Sequence, residues 1–136
     1  MDLAQQKETA RRWIIGVWNE QNFELVGELA TPDYVYRVPG QLEIKADALP
    51  AYVAALHAAF PDLGNTIDEQ IAEPGIVITR GTTRGTHLGP MGELAATGRK
   101  VALPWVMITR FAGGRVREDW ELYDERSLLQ QLGVSE

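Results

Sequence analysis

"VREDWELYDERSLLQQLG", residues 116–133, reads as a β-strand that runs straight into a short helix, and it sets five carboxylates around one tryptophan. The strand covers Val116 to Asp124. The helix, about two turns from Glu125 to Leu132, stops at Gly133, a residue suited to the left-handed position past a helix end. Upstream, Gly113-Gly114 fits the two central positions of a tight hairpin turn, where both φ values are positive. That turn joins the strand to an earlier one, Arg99 to Phe111, and residues whose numbers sum to 227 then stand opposite each other.

This register sorts the side chains. One face collects Leu103, Trp105, Met107 and Thr109 with Glu118, Trp120, Leu122 and Asp124; the other collects Pro104, Val106, Ile108 and Arg110 with Arg117, Asp119, Glu121 and Tyr123. The first face holds both tryptophans and is expected to be concave and covered by helices. In the preceding strand, Gly75 to Leu88, alternation puts Thr79, Gly81, Thr83, Gly85 and His87 inward and Arg80, Thr82, Arg84 and Thr86 outward. The small inward residues leave room. The outer arginines, with Arg110 and Arg117, are expected to pair with Asp119 and Glu121 as a cross-strand lattice.

The carboxylates this register offers to a cavity are Glu118 and Asp124, with His87 as a third polar group. Each has a plainer use: Asp124 opens the last helix as an N-cap, Glu118 sits solvated at the rim, and His87 is a hydrogen-bonded structural residue. Trp18, Tyr36, Phe60, Trp105, Met107 and Trp120 are either core or the walls of a pocket for a flat apolar ligand. His57 lies off its helix's apolar stripe and is expected at the surface.

Working outward, Ala10, Trp13, Ile14, Val17 and Trp18 recur at helical spacing, which predicts an amphipathic opening helix from Leu3 to Trp18. A short helix follows at Glu24 to Ala30, then a short strand at Tyr34-Val35-Tyr36 that ends before Pro39-Gly40. Leu49, Tyr52, Val53, Leu56 and Phe60 mark a third helix, with Pro50 placed in its first turn and Pro61 closing it. Asn65 to Glu73 is a further strand. The expectation is one α+β domain over residues 1–136: a curved antiparallel four-stranded sheet, plus the short strand, with helices over its concave face enclosing a pocket.

A net charge of −6 with no basic run longer than Arg11-Arg12 argues against nucleic acid as a partner. Without cysteine the chain has no disulfide or zinc-thiolate chemistry, which suits a reducing cytoplasm. Nothing approaches the roughly 20 apolar residues of a membrane span, and no signal peptide is evident. With two histidines and no paired-ligand spacing, no metal site is expected.

"FPDL" at 60–63, "GTHLGPMG" at 85–92, "TGRKV" at 97–101 and the "GGRVREDW…D…LLQQLG" run at 113–133 together resemble the SnoaL-like polyketide cyclases, members of the nuclear transport factor 2-like, cystatin-like cone superfamily. The resemblance covers most of the chain and implies that cone fold, often as a homodimer through the outer face of the sheet. It also implies an aspartate on the last strand acting as general acid/base in an aldol closure, assisted by a histidine on the preceding strand. Counting back from "QLG", these positions fall on Glu121 and Met107, so the aspartate is lengthened and the histidine is replaced. His87 matches the family's histidine in G-x-H-x-G, a structural or pocket-lining position. The family correspondence turns Glu121 inward where the ideal hairpin turns it outward, and a β-bulge near residues 118–121 would reconcile the two.

The expected function is a cofactor-independent enzyme that moves a proton at carbon beside a carbonyl of a small aromatic or polycyclic substrate. Its carboxylate would be Glu121, Glu118 or Asp124, desolvated by aromatic walls so that its pKa rises toward neutral. Tyr36, His87 or a backbone donor would hold the developing enolate oxygen. The alternatives are a cofactor-free hydroxylase of the same family and a non-catalytic protein that binds a small apolar molecule.

Overall fold

Gly113 and Gly114 have φ values of 58° and 78°, so the two-residue turn is as the dipeptide requires. The computed structural model describes residues 1–134. Around this turn β5 (Lys100–Ala112) pairs antiparallel with β6 (Arg115–Tyr123), and the ladder begins with Ala112 opposite Arg115 and Phe111 opposite Val116. Then the register shifts: Arg110 faces Glu118, Thr109 faces Asp119 and Met107 faces Glu121. Arg117 is the extra residue of a bulge, and every side chain from 118 to 123 lies on the opposite face from the one an unbulged hairpin predicts.

The remaining strands extend this hairpin on both sides. β4 (Ile76–Thr86) pairs with β5, and β3 (Gly64–Glu73) with β4, completing the expected antiparallel meander. On the other side β1 (Ala30–Val38) runs parallel to β6, and β2 (Leu42–Lys45) hairpins back on β1. The sheet therefore has six strands, in the order β2-β1-β6-β5-β4-β3, where four and a short strand were expected. Tyr34 to Tyr36 is the middle of a nine-residue strand whose parallel partner lies more than 80 residues away, a pairing no local pattern announces.

α1 (Leu3–Trp13) is capped by Asp2, whose carboxylate accepts from the Gln5 N–H at 2.8 Å. Beyond Trp13 the helix widens into a π-turn over Ile14–Asn19, closed by the Glu20 N–H to the Ile15 carbonyl at 3.0 Å. Gly16 sits in this turn because α2 (Glu24–Leu29) packs against it; a Cβ there would lie 2.3 Å from Leu25 Cδ1. α3 (Leu49–Ala59) carries Pro50 in its first turn, where the missing N–H has no helical partner to lose. α4 (Glu125–Gln131) closes the described chain.

α1, its π-turn and α3 pack over one face of the sheet, burying Trp13, Val17, Tyr34, Leu49, Val53 and Val116 in the main core. A smaller core gathers Ala59, Phe60, Val101 and Leu132 where α3 and α4 meet β5. No helix among the described residues is long and apolar enough to cross a membrane.

Candidate active site

Between the two cores the sheet and helices enclose a cavity of about 380 Å³. Its wall is built from Trp18 of the π-turn, Tyr36 of β1, Tyr52 of α3, Trp105 and Met107 of β5, and Phe60 at the end of α3. Trp18, Tyr36 and Tyr52 form an aromatic cluster with ring centroids 4.9 to 6.1 Å apart. Trp105 lies across Gly81 of β4: a Cβ at that glycine would come within 2.4 Å of the indole Cζ2 and 2.3 Å of the Thr66 carbonyl oxygen. The space that the small residues of β4 leave is thus partly filled by an indole rather than open.

Glu121 lies on this wall, half-buried. The bulge at Arg117 turns it inward, and the Tyr36 hydroxyl donates a hydrogen bond to its carboxylate. Burial pushes the Glu121 carboxyl up to about 7; the Tyr36 hydrogen bond pulls it down, and the charge of Asp119 pushes it up. Burial, then the Glu121 and Tyr52 groups, raise the Tyr36 hydroxyl well above its ordinary range, so at neutral pH it stays a donor. A titratable carboxyl paired with a neutral hydroxyl donor can take a proton from a carbon acid and hold the oxygen on which charge develops.

The bulge corrects several expectations at once. Glu118 is on the outer face, half-buried between Arg37 at 2.8 Å and Arg110 at 3.7 Å, and takes the place in the charge lattice that Asp119 and Glu121 were expected to fill. Arg80 pairs instead with Glu69 at 2.8 Å. Trp120 stands opposite Ile108 and beside Arg37 on that same outer face, away from the cavity, and Leu122 is 48% exposed there. Asp124 is exposed and serves as the N-cap of α4, its carboxylate accepting from the Ser127 N–H at 3.0 Å. Trp18, Tyr36, Phe60, Trp105 and Met107 do line the cavity.

His87 is fully buried and does not line the cavity. Its Nδ1 accepts from the Thr97 N–H at 3.1 Å, its ring lies 5.2 Å from Phe60, and its backbone pairs with Arg99 and Gly98. It fastens the 88–98 segment, of which Pro90, Met91 and Gly92 reach the cavity. Gly89 lets that segment approach α3, since a Cβ there would meet the Ala58 carbonyl oxygen at 2.1 Å. His57 is half-buried rather than free, its Nε2 2.7 Å from the Trp18 carbonyl oxygen, so it helps hold the π-turn.

Two residues of the site escaped the sequence reading. Tyr52 was assigned only to a helical stripe, yet it faces the cavity and its hydroxyl is pushed up, chiefly by burial. Asp119 was placed outside, yet it is fully buried. The available signal was its spacing: Asp119 and Glu121 are two apart, so whatever turns one inward turns both.

The chain matches the profile of a family, SnoaL-like polyketide cyclase, over residues 8–132. Among solved structures it is similar to a candidate SnoaL-like polyketide cyclase from Jannaschia sp. CCS1 (TM-score 0.88, 21% identity, covering 98% of this chain and 95% of that one). It is also similar to AclR, a candidate hydroxylase from Streptomyces galilaeus (0.83, 27%, 97% and 98%), and to IdmH, a candidate polyketide cyclase from Streptomyces antibioticus (0.82, 26%, 94% and 98%). Among curated proteins none matches the sequence.

Proposed function

Because the chain belongs to the SnoaL-like polyketide cyclase family, we propose that it is a cofactor-independent acid/base enzyme that moves a proton at carbon beside a carbonyl of a small aromatic or polycyclic substrate. The observation that carries this reading is Glu121: a carboxyl raised to about 7, hydrogen-bonded to Tyr36, on the wall of an aromatic cavity. A group that is half protonated near neutral pH both takes and returns a proton efficiently. The cavity of about 380 Å³ lies at the lower end of the roughly 300–1,000 Å³ range of drug-sized ligand sites, and its rings suit a flat apolar body. With Met107 opposite Glu121, the proton is handled by the Glu121–Tyr36 pair without a histidine.

The test follows deuterium entry at the carbon beside the carbonyl of 2-tetralone in heavy water by NMR. The native chain is expected to accelerate exchange, and Glu121→Gln to lose about 10²- to 10⁴-fold of that acceleration. Undiminished exchange by Glu121→Gln overturns the reading.

The likeness to AclR supports a second reading that begins with the same deprotonation. An anthrone enolate would be oxidised by dioxygen to the quinone with release of water, and an oxygen electrode separates this from cyclisation. Tight binding of a flat hydrophobe with neither exchange nor oxygen uptake would leave a ligand-binding protein.

We also propose that the chain is a homodimer through the outer face of the sheet. There Ile71, Ile78, Val106 and Leu122 are 55%, 37%, 41% and 48% exposed, and the ladder joins them through Ile108 and Trp120 into one apolar band. Sedimentation equilibrium that finds a monomer at micromolar concentration overturns this assignment.

A further inference from the structure

Two carboxylates share the inner face of β6, and one of them touches the cavity. Glu121 lies on the wall; Asp119, two residues earlier on the same face, is 0% exposed behind it. Three donors from three other elements converge on Asp119. The Trp13 indole N–H of α1 at 2.8 Å and the Tyr34 hydroxyl of β1 at 2.6 Å meet one oxygen, and the Thr109 hydroxyl of β5 at 2.6 Å meets the other. An indole N–H can only donate, so this shell suits the ionised form. No Lys, Arg or His pairs with Asp119 among the described residues.

The neighbouring rung differs. Tyr34 and Tyr36, two apart on β1, stand before Asp119 and Glu121, two apart on β6, but Glu121 receives the single donor Tyr36 where Asp119 receives three. Each hydrogen bond to a carboxylate favours its ionised form, so Asp119 with its three donors gives up its proton first and Glu121 keeps its own longer. Same-face neighbours on a strand lie roughly 7 Å apart, close enough in a poorly screened interior for one charge to oppose the other.

We propose that Asp119 is a fixed buried charge that keeps Glu121 protonated up to neutral pH, a positioning residue that acts on the cavity through Glu121 without touching the substrate. The groups facing Glu121 from the other elements are Tyr34 and Tyr36 of β1 and Tyr52 of α3, and its own strand adds Tyr123; all four are pushed up and stay neutral. β5 brings Met107 and Trp105, which carry no charge. Burial raises Asp119 as well, but its hydrogen bonds to Thr109, Tyr34 and Trp13 draw it back. Asp119 is therefore the neighbouring charge that acts on Glu121, and it acts in the same direction as burial.

The proposal deepens the reading of Glu121 as the proton-transferring group and takes its functional meaning from it, yet its test needs no substrate. Carboxyl ¹³C NMR follows Glu121 and Asp119 in the whole chain between about pH 4 and pH 9, in the native protein and in Asp119→Asn. Asp119 is expected to be ionised before Glu121 titrates, and the Glu121 midpoint to fall by about one pH unit in Asp119→Asn. An unmoved Glu121 midpoint in folded Asp119→Asn, or an Asp119 signal that titrates after Glu121, overturns the proposal and leaves the catalytic role of Glu121 standing. Turnover by Glu121→Gln does the reverse. Where circular dichroism shows Asp119→Asn unfolded, Thr109→Val decides: removing one donor should raise the Asp119 midpoint toward that of Glu121 and make both curves biphasic. Two independent, unshifted curves in Thr109→Val overturn the proposal.

Discussion

The Tyr36 hydroxyl donates to the Glu121 carboxylate across the parallel pairing of β1 with β6, and one rung away the Tyr34 hydroxyl does the same for Asp119 at 2.6 Å. Parallel strands keep the same order of residues, so one tyrosine spacing serves one carboxylate spacing. The two rungs carry different loads: Asp119 is sealed in the core, whereas Glu121 opens on the cavity.

Tyr36→Phe removes the hydrogen bond that pulls the Glu121 carboxyl down. The Glu121 midpoint is expected to rise above about 7, measured by carboxyl ¹³C NMR, and the pH profile of exchange to move in the same direction. A midpoint that falls would show that Tyr36 does not donate to the ionised form.

The raised Glu121 carboxyl also sets a pH dependence of stability. The folded value is about 7 against an ordinary 4.5, so between these the native state holds more proton than the unfolded chain. The contribution is fully present below about pH 4.5 and is lost as pH rises through 7. Its size is on the order of 3 kcal/mol. Urea unfolding at pH 5 and pH 8 should show this loss in the native chain, and Glu121→Gln should flatten it.

Gly81→Ala puts a methyl group against the Thr66 carbonyl oxygen and the Trp105 ring, at 2.3 and 2.4 Å before any relaxation. The backbone oxygen cannot swing aside, so the cost is expected at about 1–3 kcal/mol in urea unfolding. Trp105 forms part of the cavity wall, so fluorescence of the four-tryptophan chain and binding of a flat hydrophobe should change with it.

Glu118→Gln and Asp124→Asn lie outside the cavity and serve as controls. Glu118 pairs with arginines on the outer face, where such contacts contribute about 0–1 kcal/mol, and asparagine replaces an aspartate N-cap at little cost. Both variants are expected to keep the exchange rate of the native chain. A loss above about tenfold in either would put the working carboxylate at that position rather than at Glu121.

Much of this arrangement is legible in the chain. The order of helices and strands, the Pro50 helix start and the Gly113-Gly114 turn follow from local spacing and backbone freedom, and the motifs at 60–63, 85–92, 97–101 and 113–133 bring the family with them. β2 and the full length of β1 were not legible, because a four-residue strand and a parallel pairing leave little periodic trace.

The sequence by itself determined that a last strand rich in carboxylates would cross an aromatic concave layer, and it narrowed the working group to Glu118, Glu121 or Asp124. Only the tertiary structure decided which of them faces the cavity. Side chains alternate with period two, so the single extra residue Arg117 inverts the whole set, and nothing in the strand's own composition selects one face. The selection comes from residues far along the chain: Trp13, Tyr34 and Tyr36 offer donors inside, while Arg37 offers a cation outside. Buried carboxylates need those donors, and the bulge is the register that satisfies both faces.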